Sequence, residues 1–463
     1  MQTHLTEIDP TIFRAYDIRG VVGTSLTVDS VYAIGQAIGS AALDAGEQCM
    51  ALARDGRLSG EMLAKALRSG IMATGCDVID LGMVPTPLLY YGTHTLRTRS
   101  GVMLTGSHNP PDYNGLKIVI NGKTLAEQGI QALYQRCVQH NFREGKGEFH
   151  ELSNIDRYIG HIVQTVKLKR PLRIVVDCGN GVPGMVAPSL FKQMGCEVHE
   201  IFCEVDGRFP NHHPDPSQVE NLQDLIQKVK DVDADLGLAF DGDGDRLGIV
   251  TKRGAIIWPD RQLMLFAKDI LSRNPGAKII YDVKCTSHLA TLIREHGGEP
   301  IMWKTGHSLI KAKLAETNAL IAGEMSGHIF IKERWYGFDD AMYAGARLLE
   351  IISQETLDVD ALFATIPDSI NTPELKINVE ETEKFSLMNK LVQSANFTDA
   401  LEVNTIDGLR VNFARGWGLV RPSNTTPCLV LRFEAETQAI LEQIQHQFRE
   451  FLLTAQPNLV LPF

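Results

Sequence analysis

The sequence predicts an α/β protein: three related mixed-sheet α/β domains followed by an α+β domain. Three observations carry this. One order of elements recurs three times: an apolar strand, an acidic turn, a helix and a second strand, then a strand that empties into a polar loop. Strands alternating with helices imply parallel pairing through crossover connections, with ligand loops beyond the carboxyl ends of the strands. The rhythm then stops at Pro367-Asp-Ser-Ile-Asn-Thr-Pro373, and the chain beyond it alternates as antiparallel strands do. At 463 residues the chain is also too long for one core. The expected domains are 1–153, 154–254, 255–367 and 368–463.

In the first copy, helical periodicity over 29–45 precedes an apolar strand at Met50–Ala53. A turn at Arg54-Asp55-Gly56-Arg57, a helix over 59–73 and a strand at Cys76–Ile79 follow. A third strand, 101–104, runs into Thr105-Gly106-Ser107-His108-Asn109-Pro110. A polar stretch, Lys146–Asn154, and a helix over 155–167 lead to the second copy. There a strand at 172–176 meets the turn Asp177-Cys178-Gly179-Asn180-Gly181, a helix covers 184–194, and Cys196–Phe202 is extended. The strand Leu236–Phe240 delivers Asp241-Gly242-Asp243-Gly244-Asp245-Arg246. Lys252–Pro259, with Gly254, opens a hairpin-like linker. The third copy runs from a strand at Ala277–Tyr281 through a helix near 287–295 and a strand at Pro300–Trp303. A last strand, 319–322, delivers Gly323-Glu324-Met325-Ser326-Gly327-His328. Beyond the break, 375–379 alternates, 384–393 is helical, 408–414 and 417–420 form a hairpin, 428–434 is a strand and 436–452 a helix. Arg421-Pro-Ser-Asn-Thr-Thr-Pro427 lies in a loop of this unit.

A formal net charge of −11 opposes nucleic-acid binding, which needs a basic footprint, yet a local basic cluster still serves an anionic small ligand. The eight cysteines form no close pair and suggest neither a disulfide framework nor structural zinc. The first ten residues have no signal-like apolar core, and no 18-residue apolar span indicates a membrane helix. A cytoplasmic protein with reduced thiols is the expectation.

Asp241, Asp243 and Asp245 are the strongest bare signal. Three carboxylates at alternate positions, with glycines allowing tight curvature, repel one another unless they share a hard cation. An oxygen-only set favours Mg²⁺, with Ca²⁺ and Mn²⁺ compatible; the plain alternative is an acidic surface turn. Ser107 sits in no Gly-x-Ser-x-Gly elbow, and His108 is poorly spaced to act as base to its neighbour. A serine near a metal, with Lys117 close in sequence, fits phosphoryl transfer better than hydrolysis. Glu324, Ser326 and His328 alternate like a comb suited to sugar hydroxyls. Arg421, Ser423, Asn424 and Thr425 present one charge and several donors, either a phosphate cradle or a capped turn. Arg14 and Arg19 flank Tyr16-Asp17, as a salt-bridged strand or as a face toward an anion.

In this order and spacing, the four loops resemble those of the α-D-phosphohexomutase superfamily across essentially the whole chain, most closely its bacterial branch acting on both mannose and glucose phosphates. The resemblance implies that all four domains surround one cleft and that the fourth has a TATA-box-binding-protein-like fold. It implies that Ser107 carries the phosphoryl group. Asp241, Asp243, Asp245 and an oxygen of that group would bind one Mg²⁺. Arg19, Lys117, Arg246 and His328 would be catalytic. Tyr16, Lys284 and His307 would contact substrate, Glu324 and Ser326 would hold O3 and O4, and Arg421, Ser423, Asn424 and Thr425 would grip the non-reacting phosphate. Hexose 1-phosphate and 6-phosphate would interconvert through a hexose 1,6-bisphosphate that reorients in the cleft, in a monomer, with a dimer as the alternative. The rivals are a phosphoglucosamine mutase, whose sugar loop has glutamine where this chain has Met325, a mutase for mannose or glucose alone, and a non-enzymatic sugar-phosphate-binding protein.

Overall fold

The computed structural model describes residues 8–380, 382–424 and 426–463. Three of its sheets share one plan. A central strand (Cys49–Arg54, Arg173–Asp177 or Lys278–Asp282) is flanked on both sides by parallel partners. One partner is the second strand of the copy: Asp77–Met83, Glu197–Ile201 or Glu299–Trp303. The other is the strand that delivers the polar loop: Gly101–Leu104, Leu236–Phe240 or Ile321–Gly323. The repeated order read from the sequence is therefore a repeated sheet.

Each of these sheets is mixed, as the sequence predicts. After each loop the chain returns antiparallel, as Tyr113–Ile120, Leu247–Thr251 and Ile329–Ile331. The reason is the length of the loops: 241–246 and 324–328 are too short for a crossover, which takes a dozen residues or more. The antiparallel return matters to the site because it places Lys117 in mid-strand, opposite Met103 of the strand that leads to Ser107.

The helix expected over 184–194 is split into a 3-10 turn, Val182–Met185, and a helix, Ala187–Gln193. Pro183 and Pro188 each fall in a first turn, where a missing N–H costs nothing. The fourth unit is an antiparallel sheet of six strands, with Cys428–Ala435 pairing Gly416–Pro422, Ile370–Asn371 and Leu375–Asn378. Helices Lys384–Ser394 and Gln438–Ala455 pack on this sheet.

One continuous apolar core runs through the first three units, from Tyr91 and Tyr158 through Phe191 and Phe240 to Trp335 and Tyr343. The other face of the first sheet and the fourth unit have cores of their own. Burial on this scale is the dominant favourable term, and sharing it fixes the three loop-bearing ends against one another. Among the described residues, no helix is long and apolar enough to cross a membrane.

Candidate active site

Ser107 is buried and left-handed, at φ 50°. An L-residue holds such a backbone only when its surroundings over-determine it, and here Asp55 and Arg57 do so. Asp55 accepts from Thr105 Oγ1 at 2.8 Å and from the Gly106 N–H at 3.1 Å. Arg57 is fully buried, pairs with Asp55 at 3.1 Å, and donates to the carbonyls of Ser107 (3.0 Å), Asn109 (2.6 Å), Tyr113 (2.9 Å) and Pro110. A Cβ on Gly106 would lie 2.3 Å from the guanidinium carbon, so only glycine fits there. Neither Asp55 nor Arg57 is assigned a role by the sequence reading; their only signal is the charged turn after the first strand.

The Ser107 hydroxyl donates to Asp241 Oδ2 at 3.1 Å and lies 3.0 Å from His108 Nδ1. Adjacent spacing argued against a Ser107–His108 contact, but the left-handed turn folds the imidazole back onto its neighbour. Burial, with Arg246 and Arg19 nearby, holds His108 well below the usual histidine range. It is a neutral partner to the serine.

Asp241, Asp243 and Asp245 are completely buried, with carboxylate oxygens within 4.8 Å of one another. The surface-turn alternative is thereby excluded. Asp241 Oδ1 accepts the backbone N–H groups of Gly244, Asp245 and Arg246 at 3.0–3.1 Å, which curls the loop around it. Gly242 lets the loop reach Ser107, since a Cβ there would sit 2.4 Å from the Ser107 carbonyl oxygen. Asp243 Oδ2 accepts from Thr86 Oγ1 (2.5 Å) and Lys117 Nζ (2.7 Å). Asp243 Oδ1 is buried with no hydrogen-bond partner among the described residues. Three buried oxygen donors, one of them unpartnered, suit a hard divalent cation.

Burial and the charges of Asp245 and Asp243 push the Asp241 carboxyl well above its ordinary value. Asp245 goes the other way: burial would raise it, but the Lys117 ammonium, 2.5 Å away, and His328 hold it well below. Lys117 is not an incidental strand residue; it bridges Asp243 and Asp245.

The third loop meets the second directly, through an isolated bridge between Arg246 and His328. His328 Nδ1 lies 3.0 Å from Glu324 Oε2 and 3.1 Å from Ser326 Oγ, and its Nε2 lies 3.2 Å from Asp245 Oδ1. Burial opposes its charge, but Asp245 and Glu324 raise it to about 9. Arg246 Nε is 3.3 Å from the same ring. His307 opens the helix His307–Thr317 and faces Asp339, 3.7 Å away. Asp339, held by Lys311 at 2.8 Å, is a further buried charge of this floor that the sequence reading does not pick out.

Arg19 donates to Asn109 Oδ1 at 2.6 Å and pairs with Asp17, which ties it to the serine loop. Tyr16 donates to the Thr305 carbonyl at 2.7 Å and accepts from Asn424, so one phenol joins three units. Arg421 Nε is held by Asp407 at 3.0 Å, while its Nη2 is buried without a hydrogen-bond partner among the described residues. Ser423 Oγ lies 2.8 Å from Thr426 Oγ1. Lys284 pairs with Glu374 at 2.9 Å. Thr425, expected beside Arg421, lies outside the described residues.

Serine, acidic triad, carboxylate–histidine pair and arginine loop thus come from four separate units, and the class they define is one of phosphoryl transfer on a small anionic substrate. Comparison with known proteins gives the family. The phosphoglucomutase/phosphomannomutase domain models match end to end: α/β/α domain I at residues 10–144, domain II at 156–254, domain III at 258–369 and the C-terminal domain at 374–451. The chain belongs to the phosphoglucomutase/phosphomannomutase family. It is 57% identical over 452 residues to a phosphomannomutase/phosphoglucomutase of Pseudomonas aeruginosa, covering 98% of this chain and 97% of that one. It is 55% identical over 454 residues to a phosphoglucomutase of Neisseria meningitidis, covering 97% and 98%. A crystal structure of a phosphoglucomutase/phosphomannomutase family protein from Burkholderia thailandensis superposes with a TM-score of 0.95 at 54% identity, covering 99% of this chain and all of that one.

Proposed function

We propose that the protein reversibly interconverts hexose 1-phosphates and hexose 6-phosphates of glucose and mannose, with Ser107 as phosphoryl carrier and a hexose 1,6-bisphosphate as intermediate and activator. The observation that carries this is the buried contact between Ser107 Oγ and Asp241, inside a carboxylate triad that could hold a metal ion. Asp241, Asp243, Asp245 and an oxygen on Ser107 would hold one Mg²⁺, which when bound supplies electrostatic stabilisation of the charge on the transferring phosphoryl group.

The chain's own groups do the rest. Asp55 and Arg57 fix the serine loop, and His108 and Asp241 orient the hydroxyl. Lys117, Arg19 and Arg246 surround the transferring group with positive charge, which acts strongly in a water-poor cleft. Glu324 and Ser326 take the O3 and O4 hydroxyls. His328, between Glu324 and Asp245, is the group placed to hold or move a proton at the sugar oxygen. Tyr16, Lys284 and His307 line the path, and Arg421, Ser423, Asn424 and Thr425 grip the phosphate that stays. Because the intermediate must present either phosphate to Ser107, Glu324 and Ser326 bind the O3 and O4 hydroxyls and leave the C2 substituent unread. The two epimers then both fit, in keeping with the dual name of the Pseudomonas relative. Eight free thiols accord with the cytoplasm.

Turnover of glucose, mannose and glucosamine 1-phosphates, with Mg²⁺ and bisphosphate present, tests the substrate range. Values of kcat/KM within about tenfold for glucose and mannose are expected, because recognition does not touch C2. Activity on the glucosamine phosphate alone would overturn the assignment.

A further inference from the structure

Lys284 is pinned by its backbone, while its side chain has a single ion-pair partner among the described residues. Arg410 donates to the carbonyls on either side, Val283 at 2.6 Å and Cys285 at 2.9 Å, while stacked 3.8 Å over Trp417. Arg432 donates to the Lys284 carbonyl itself. The turn is thus clamped to the fourth unit. The ammonium, by contrast, is held by Glu374 at 2.9 Å. Glu374 directly follows Pro373, at the end of the linker, and leads into the strand Leu375–Asn378. The lysine side chain is buried while the carboxylate is 40% exposed, so the anion of the pair is the partner that can leave into water.

The surroundings are those of a phosphate pocket. Lys284 and then Arg421 hold the Glu374 carboxyl down to about 2, so both cations act on the same oxygens. Arg421 keeps a buried Nη2 without a partner among the described residues. A phosphate dianion offers more charge and more acceptor oxygens than a carboxylate, and arginine matches its geometry.

We propose that Glu374 is a built-in competitor for Lys284, a carboxylate that substrate phosphate must displace and that takes the ammonium back as product leaves. This rests on the phosphohexomutase reading and adds to it a residue that sets affinity without touching the reacting atoms. The exchange needs only side-chain rotation, because Arg410 and Arg432 keep the Lys284 backbone in place.

The test is Glu374→Gln, which keeps size and hydrogen bonding and removes the charge, with glucose 1-phosphate as probe. The Glu374 side of the pair is open to water, which weakens it, so KM should fall about 2- to 5-fold with kcat unchanged or lower. Calorimetric Kd for glucose 1-phosphate should fall in parallel. In a Lys284→Met background the same substitution should change Kd much less than it does in the wild-type chain, a coupling that a purely structural role for Glu374 does not produce. An unchanged or raised KM and Kd, at a wild-type melting temperature, would overturn the proposal while turnover by the wild-type chain left the mutase reading standing. A wild-type chain with no turnover would instead remove that reading, and the proposal with it.

Discussion

At Ser107, chemistry depends on a balance of buried charge. Three carboxylates share one site, and Lys117 neutralises part of their charge. Like charges in a low-dielectric site are costly, and removing one relieves that cost. Asp241→Asn therefore separates stability from function. The amide oxygen keeps the three backbone bonds made by Oδ1, and its NH₂ replaces the acceptor facing Ser107. In EDTA the variant should melt about 2–4 °C above the wild type, from a gain of roughly 1 kcal/mol. With Mg²⁺ its kcat/KM should fall by about 10²–10³, the usual scale for loss of one electrostatic contact in a transition state. Differential scanning calorimetry and steady-state kinetics read the two effects. A variant that is both less stable and fully active would contradict this view of the triad.

Among the elements, Ala341–Gln354 shows why some of the fold was illegible. It is buried on almost every side, and its two charges, Arg347 and Glu350, pair within the helix at 3.3 Å. Its polar stripe, Arg347 and Glu350, is turned to buried partners rather than to water. The helix Thr86–Thr95, buried from Thr86 through Thr93, hid in the same way, and with it Thr86, which donates to Asp243. Strands with chemistry at their ends were easier to read: Gly101–Leu104 and Leu236–Phe240 fall where the apolar runs end. Ser107 and the three aspartates were visible because their types and spacing carry chemistry. Arg57, Asp339, Asp407 and Glu374 were not, since each acts on a partner far away in sequence.

The start of Ala341–Gln354 also carries a titration. Asp340 caps the helix through the Tyr343 N–H and accepts from Tyr158 (2.7 Å) and Trp335 (3.1 Å). Burial, despite these donors, pushes its carboxyl up to about 7. The unfolded value is near ~4, so between the two the folded chain binds the extra proton and stability falls as pH rises. This contribution is complete below about pH 4 and lost through about pH 7. Asp340→Asn should therefore flatten the pH dependence. The melting temperature of the variant relative to wild type should improve from pH 5 to about pH 7 and level off above it. A difference that stays constant across that range would show that Asp340 does not titrate there.

Across the whole molecule, the four units close a ring. Ser107 meets Asp241, Arg246 meets His328, the Thr305 N–H meets Asp407 at 2.9 Å, and Asn424 returns to Tyr16. Each link joins one unit to the next, and the first two lie at the ends of loop-bearing strands, where open α/β sheets hold their ligands. The ring explains why catalytic parts so far apart in sequence make one cleft. It also suits the proposed reorientation of a bisphosphate, because a wall of four independent loops can offer phosphate contacts on opposite sides. All of this has Ser107 as its centre. Incubation with glucose 1,6-bisphosphate and Mg²⁺, followed by intact and peptide mass spectrometry, tests that most directly. The account predicts one added phosphate, on Ser107, lost on addition of excess hexose monophosphate and never acquired by Ser107→Ala. A chain that interconverts hexose phosphates with no phosphate on Ser107, or a Ser107→Ala variant with wild-type turnover, would contradict it.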